Sequence, residues 1–198
     1  IKAGLVDEKG NILHKDSCPT RAMEDYKVIV ADMADLIKKI LNDTDTNTSE
    51  IKTIGIGCPG SIDDKNGIVI YANNLNLHDA PLAQELKKYY DVPVYVSNDA
   101  NCAALGEFFA LDDENITDIV AITLGTGVGS GIIINKKIFT GTNGIGGELG
   151  HTVIKVNGEK CTCGRNGCWE AYASATALIR EAEKAAEENP DSYLAKLV

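Results

Sequence analysis

The chain holds 198 residues, 44% hydrophobic and 24% charged, which is enough apolar material for one good core or two small ones and excludes a disordered tail. Lys and Arg total 19 against 29 Asp and Glu, a net charge of −10 that repels phosphate backbones and disfavours generic nucleic-acid binding by these residues. No apolar run reaches the ~18 residues a membrane-spanning helix needs, and six cysteines, three of them crowded into 161–168, point to a reduced, cytoplasmic setting and a metal rather than a disulfide framework.

The opening residues Ile1-Lys2-Ala3-Gly4-Leu5-Val6-Asp7 read as the middle of a strand, with no initiator Met and no signal-peptide core, so a piece of a longer polypeptide is expected. A hairpin follows, from Ala3–Val6 through a turn at 7–11 to Ile12–His14. Between Ala22 and Leu41 the apolar positions Tyr26, Ile29, Met33, Leu36 or Ile37 and Ile40 recur at helical spacing and predict an amphipathic helix. Residues 42–50 read as a loop, 52–58 as a strand stopped by Pro59-Gly60, and the stretch through 73–76 as loop-rich. A helix is expected from Pro81 to about Tyr90, a strand over 92–97 and a helix over 100–110.

The acidic break Asp112-Asp113-Glu114-Asn115 marks the expected lobe boundary. Beyond it come a strand over 118–124, the glycine-rich stretch 125–131, a strand at 132–134, a turn, and Ile138-Phe139. One helix is expected from Trp169 to about Glu188, ended by Asn189-Pro190, and the chain closes, at 191–198, within or just after a helix. A weak internal repeat relates Gly4-Leu5-Val6, a polar turn and Ile12-Leu13 to Gly131-Ile132-Ile133-Ile134, a polar turn and Ile138-Phe139. In the second copy a strand and glycine loop come first, so the same pair is expected just upstream of Ile1.

Three motifs carry chemistry. Gly125, Gly127, Gly129 and Gly131 alternate along Gly125-Thr126-Gly127-Val128-Gly129-Ser130-Gly131 and lead into a strand, so neither the dinucleotide fingerprint nor the P-loop fits. Period-two glycine leaves one face bare, where N–H groups can approach phosphate closely. A tight hairpin needing glycine for its backbone angles reads equally well.

Asp99, where a strand ends and a helix begins in Ser97-Asn98-Asp99-Ala100-Asn101, is either an N-cap or a general base aimed into a cleft, and the motif alone does not decide. His151 with Cys161, Cys163 and Cys168 makes one imidazole and three thiolates, the composition of a structural Zn²⁺ site and a better reading than a disulfide plus a free thiol. Cys18, Cys58 and Cys102 read as small buried residues. Glu148 and Glu170 bracket the knuckle and, with an imidazole N–H, suit a polyhydroxylated ligand; as plain surface charges they would also be at home.

Together, Gly57-Cys58-Pro59-Gly60-Ser61-Ile62-Asp63, Asn98-Asp99-Ala100-Asn101-Cys102-Ala103-Ala104-Leu105-Gly106-Glu107, Leu124-Gly125-Thr126-Gly127-Val128-Gly129, Gly146-Gly147-Glu148-Leu149-Gly150-His151, the knuckle and Glu170-Ala171-Tyr172-Ala173-Ser174 resemble the ROK family of bacterial sugar kinases and repressors. Within that family the chain looks most like the ATP-dependent glucokinases. The resemblance implies a two-lobed α/β fold of the actin/hexokinase (ribonuclease-H-like) ATPase type with its second lobe incomplete. Residues 1–115 would form the sugar-kinase lobe without its first strand and phosphate loop, and 116–198 the start of the C-terminal lobe.

It further implies Asp99 as catalytic base and Asn74, Asn98, Asp99, Glu148, His151 and Glu170 as sugar ligands. Gly125, Thr126, Gly127, Val128, Gly129 and Gly131 become the nucleotide's phosphate loop, and His151, Cys161, Cys163 and Cys168 a structural Zn²⁺ set. ATP with Mg²⁺ and a hexose would be the substrates of a cytoplasmic homodimer, with no membrane partner and no nucleic acid bound through this part. Glucose phosphorylated at its 6-hydroxyl is the leading expectation. N-acetylmannosamine, N-acetylglucosamine, mannose and fructose stay open. A sugar-responsive repressor, its helix-turn-helix upstream of Ile1, is the alternative; Asp99 and the glycine loop favour the kinase, because a pure sensor needs neither. The chain as given is expected to be inactive alone.

Overall fold

In the computed structural model, which describes residues 1–197 apart from the side chain of Asn73, Asp7 organises the first turn: its carboxylate accepts the N–H groups of Lys9 and Asn11. That turn joins β1 (Lys2–Val6) to β2 (Ile12–Ser17) in an antiparallel hairpin with Leu5 opposite His14. Helix α1 (Tyr26–Asp43) starts later than the periodicity suggested, because the Asp25 side chain caps it by accepting the Lys27 N–H. Its Ile29, Val30, Leu36 and Ile40 are buried, as the helical spacing required. Val198, the last residue of the expected closing segment, lies outside the described residues.

β3 (Ile54–Cys58) runs parallel to β7 (Val94–Asn98), pairing Ile54 with Val94 and Cys58 with Asn98. Between them the sequence suggested mostly loop, but the structure builds β4 (Ser61–Asp63), β5 (Ile68–Ala72) and β6 (Leu77–Ala80) into an antiparallel sheet. The strands are short and β4 carries a register irregularity, so no period-two run is long enough to stand out. Burial of Ile62, Val69, Leu77 and Ala80 holds that sheet to the core. Helix α2 (Leu82–Leu86) is shorter than expected and buries Leu82, Ala83 and Leu86. Tyr90, past its end, donates its hydroxyl to the Ala34 carbonyl at 2.8 Å and ties this segment to α1.

The chain divides into two compact units, Ile1–Asp99 and a second from Ala100 on. The division falls upstream of the acidic break at 112–115, so nearly all of α3 (Asp99–Ala110) goes with the second unit. The reason is packing: Ala100 and Ala104 of α3 lie against Gly129 and Gly131 of β9 (Val128–Ile134). β8 (Ile119–Leu124), β9 and β10 (Lys137–Ile138) form an antiparallel meander in the order β10-β9-β8.

In the first unit β1 pairs only with β2 and β3 only with β7 among the described residues. A groove of about 1110 Å³ borders both strands, lined by Ala3, Leu5, Ile54 and Ile56 together with Met33 and Ile37 of α1.

The single helix expected over 169–188 is two, α4 (Glu170–Ala173) and α5 (Ala175–Glu188). Ser174 breaks it with an extended backbone (φ −78°, ψ 162°), and its hydroxyl accepts the Ala177 N–H as the cap of α5. A 3-10 turn over Leu194–Lys196 follows. No helix among the described residues is long and apolar enough to cross a membrane.

Candidate functional site

In the first unit Asn98 and Asp99 lie at the carboxyl ends of the paired parallel strands, where open α/β sheets bind ligands. Asn98 closes β7 opposite Cys58, and its side-chain amide donates to the Gly60 carbonyl at 3.2 Å, fixing the turn that ends β3. Gly60 has no alternative there: its φ is +99° and a Cβ would lie 2.1 Å from the Tyr71 carbonyl oxygen. Asp99 opens α3 with its side chain exposed. Cys58 is buried beside it, and burial first, then the Asp99 charge, pushes that thiol up to about 12. Asn74 is exposed on the 3-10 turn between β5 and β6.

In the second unit the structure divides the glycine stretch. Only 125–127 is a turn, closed by the Gly125 N–H donating to the Gly127 carbonyl at 3.0 Å. Val128 to Gly131 already belong to β9. None of the four alternating glycines has a positive φ, so backbone angle is not why glycine stands there. Close packing is the reason along β9, where a Cβ would meet Thr123 Oγ1 at 2.5 Å from Gly129 and Ala104 Cβ at 2.4 Å from Gly131, whereas a Cβ on Gly125 would meet nothing within 4 Å. The face expected to be bare for a ligand is covered by α3 along β9. The turn itself stays exposed at Gly125 and Thr126, and the N–H groups of Thr126 and Gly127 meet no protein acceptor among the described residues.

The Cys/His cluster assembles as its spacing suggested. One donor atom each from His151, Cys161, Cys163 and Cys168 lies within 4.8 Å of all the others, a set that could hold a metal ion. Cys161 Sγ is 3.6 Å from His151 Nδ1, and Cys163 Sγ is 3.7 Å from Cys168 Sγ. Bonds of ~2.3 Å from a tetrahedral ion to sulfur place thiolates about 3.8 Å apart, whereas a disulfide needs about 2.05 Å. The donors therefore fit a metal, and all six cysteines are unbridged. Burial opposes ionisation of Cys163, yet hydrogen bonds from the Arg165 backbone and guanidinium and from its neighbouring thiols bring it down to about 6. Burial pushes Cys168 up to about 11. Gly167 completes the knuckle at φ +79°, and a Cβ there would lie 1.7 Å from the Lys155 carbonyl oxygen.

Residues not singled out from the sequence hold these parts in place. The Ser130 hydroxyl donates to the Gly147 carbonyl and accepts the Leu149 N–H at 2.9 Å, pinning the segment that carries Glu148 and His151 onto β9. Arg165 donates to the His151 carbonyl at 2.9 Å. A buried serine between two strand glycines was the available signal for the first. Replacing Ser130 by Ala removes the hydroxyl that bridges the Gly147 carbonyl and the Leu149 N–H, although that N–H keeps the Gly147 carbonyl as a second acceptor at 2.8 Å, and should cost about 0.5–1.5 kcal/mol in urea unfolding; an unchanged midpoint would show that 147–151 is held by other contacts. Glu148 is exposed at the start of the 3-10 turn Leu149–His151. Glu170 is half-buried, one carboxylate oxygen accepting the Val128 N–H at 3.0 Å and the other the Thr162 hydroxyl at 3.1 Å.

The family model for "ROK family" matches residues 1–198. The chain belongs to the ROK family. It is 39% identical over 196 residues to a glucokinase of Halalkalibacterium halodurans, covering 98% of this chain and 59% of that relative. Among solved structures it resembles a ROK family glucokinase from Streptomyces griseus in complex with glucose and AMPPNP, with a TM-score of 0.82 and 36% identity over 96% of this chain and 59% of that one. It also resembles a ROK family transcriptional regulator, a homologue of the E. coli MLC protein, with a TM-score of 0.84 and 26% identity over all of this chain and 50% of that one. The ROK chain described here thus spans about three fifths of the length of the glucokinases it matches. The α/β fold class is that of ROK sugar kinases, actin/hexokinase-like and ribonuclease-H-like.

Proposed function

We propose that the protein to which this chain belongs is an ATP-dependent hexose 6-kinase whose preferred substrate is glucose. The observation that carries the reading is Asp99, a carboxylate exposed at the head of α3 just past the paired ends of β3 and β7, in a chain similar to a glucokinase bound to glucose and AMPPNP. In this reading Asp99 takes the proton of the sugar 6-hydroxyl as that oxygen attacks the γ-phosphorus of ATP. The bond to the bridging oxygen breaks and ADP leaves with Mg²⁺. Asn98, Glu148, His151 and Glu170 bind the sugar, with Asn74 a further ligand. The exposed turn at 125–127 and the Val128 end of β9 receive the nucleotide's phosphates.

The Cys₃His set holds a structural Zn²⁺, which fixes the shape of the 151–168 segment and leaves the second His151 nitrogen to donate to a sugar hydroxyl. Unbridged cysteines suit a cytoplasmic enzyme. The similarity to a transcriptional regulator supports a second reading, a sugar-responsive repressor.

One assay separates the two. The full-length protein with ATP is given glucose, mannose, fructose, N-acetylglucosamine or N-acetylmannosamine, and ADP release is followed. Glucose should give the highest kcat/KM by at least about tenfold, or ~1.4 kcal/mol of transition-state discrimination. Sugar binding with no ADP release on any of them would leave the repressor; a different sugar in first place would overturn glucose alone.

A further inference from the structure

Glu170 joins two parts of the second unit that the sequence presents as separate motifs. Its Oε2 accepts the Val128 N–H at 3.0 Å, at the end of the glycine turn. Its Oε1 accepts the Thr162 hydroxyl at 3.1 Å and lies 3.7 Å from Cys161 Sγ, inside the knuckle. The carboxylate sits so close beneath the turn that a Cβ on Gly127 would come within 2.4 Å of Oε2, which gives Gly127 a reason that neither backbone angle nor α3 packing supplies. Two more bonds from the same helix pair hold the turn: Ala175 N–H to the Gly125 carbonyl and the Thr176 hydroxyl to the Thr126 carbonyl, each 2.8 Å. Glu170 is also the first residue of α4, and the Ala171 N–H donates to the Cys168 carbonyl at 3.0 Å, so metal donor and carboxylate move as one turn of chain.

We propose that Glu170 is a positioning residue that couples metal loading of the knuckle to the order of the glycine turn. With Cys161 and Cys168 clamped on an ion, Thr162 and the start of α4 are fixed. The carboxylate is then held under Val128, and the unengaged N–H groups of Thr126 and Gly127 are presented in one arrangement to an anionic ligand. With the knuckle empty the carboxylate loses its footing and the turn samples others. The inference rests on the reading of the cluster as a metal site and gives the carboxylate a duty besides the sugar contact proposed above.

The test is amide hydrogen exchange on this chain with and without one equivalent of Zn²⁺, with bound metal measured in every sample. Trp169, beside Cys168 and Glu170 and the only tryptophan, reports loading by fluorescence. In the wild-type chain zinc should slow exchange at Val128 by about tenfold, the scale of one hydrogen bond to a charged acceptor. Glu170→Ala should still bind one zinc while the slowing falls below about twofold. Glu170→Gln keeps a carbonyl acceptor for Val128 and an amide for Thr162, and should restore most of it.

Gly127→Ala drives a methyl into Oε2 with Glu170 in place and should uncouple the two sites in the same way. Full slowing in Glu170→Ala with zinc bound would overturn the coupling. Failure of the wild-type chain to take up zinc would instead overturn the metal reading, so the two failures are distinguishable.

Discussion

Asp99→Asn in the full-length protein is expected to lower kcat for glucose-dependent ADP release by about 10³–10⁴-fold while the sugar dissociation constant changes less than about threefold. The asymmetry follows from the chemistry proposed. Asn matches Asp in size and keeps a hydrogen-bonding oxygen for the 6-hydroxyl, but it cannot take up the proton. The start of α3 should survive, because Asp99 is an exposed first-turn residue and the isosteric Asn forfeits only its charge at the helix head, about 0.3–1 kcal/mol. Quenched-flow or coupled measurement of ADP, paired with calorimetric titration of glucose, separates the two effects. Full turnover in the variant would leave Asp99 as no more than a first-turn acid at the head of α3.

Cys168→Ser is expected to abolish stoichiometric zinc binding and to lower the thermal midpoint of the second unit by on the order of 10–20 °C. Cys168 is fully buried and packs with Cys161 and Ala171 into a small cluster bordered by Tyr172, with few other apolar contacts in the knuckle. That cluster is too small to hold 151–168 by burial alone, so in the proposed reading a bound ion would supply most of its order. Elemental analysis and differential scanning calorimetry measure the two outcomes. Unchanged melting in a metal-free variant would show that the knuckle is held by its backbone bonds, such as Cys161 N–H to the Arg165 carbonyl at 2.8 Å.

Much of this was legible locally. Helix α1, the β1–β2 hairpin, β7 and β8 follow from periodicities of a few residues and from turn and cap residues, and the structure builds them within a few positions of where the pattern puts them. The Cys₃His set was legible for a similar reason: a C-x-C-x4-C run with a nearby histidine has few ways to use three thiolates. The β4–β5–β6 sheet was missed because its strands are short, and the break at Ser174 because an apolar rhythm continues across a residue whose capping role depends on its backbone angles. In the glycine stretch, backbone angle is excluded as the reason for glycine at all four positions and a bare face is excluded at Gly129 and Gly131. The sequence shows where glycine recurs, but not whether a ligand, a turn or a helix occupies the space a side chain would have filled.

The amino-acid sequence by itself determined the elements and the chemistry on offer: a carboxylate at a strand-to-helix junction, a glycine turn between two strands, and a Cys₃His set of metal-donor type. Tertiary structure alone decided what these parts do to one another. Val128 and Glu170 are 42 residues apart, and Ser130 and Leu149 19 apart; no periodicity links such positions. Only packing reveals that α3 fills the face of β9 left open by Gly129 and Gly131, confining the exposed turn to 125–127. Local pattern records which backbone shapes a residue tolerates. Which groups come within hydrogen-bonding distance is settled only when distant segments are brought together to bury apolar surface.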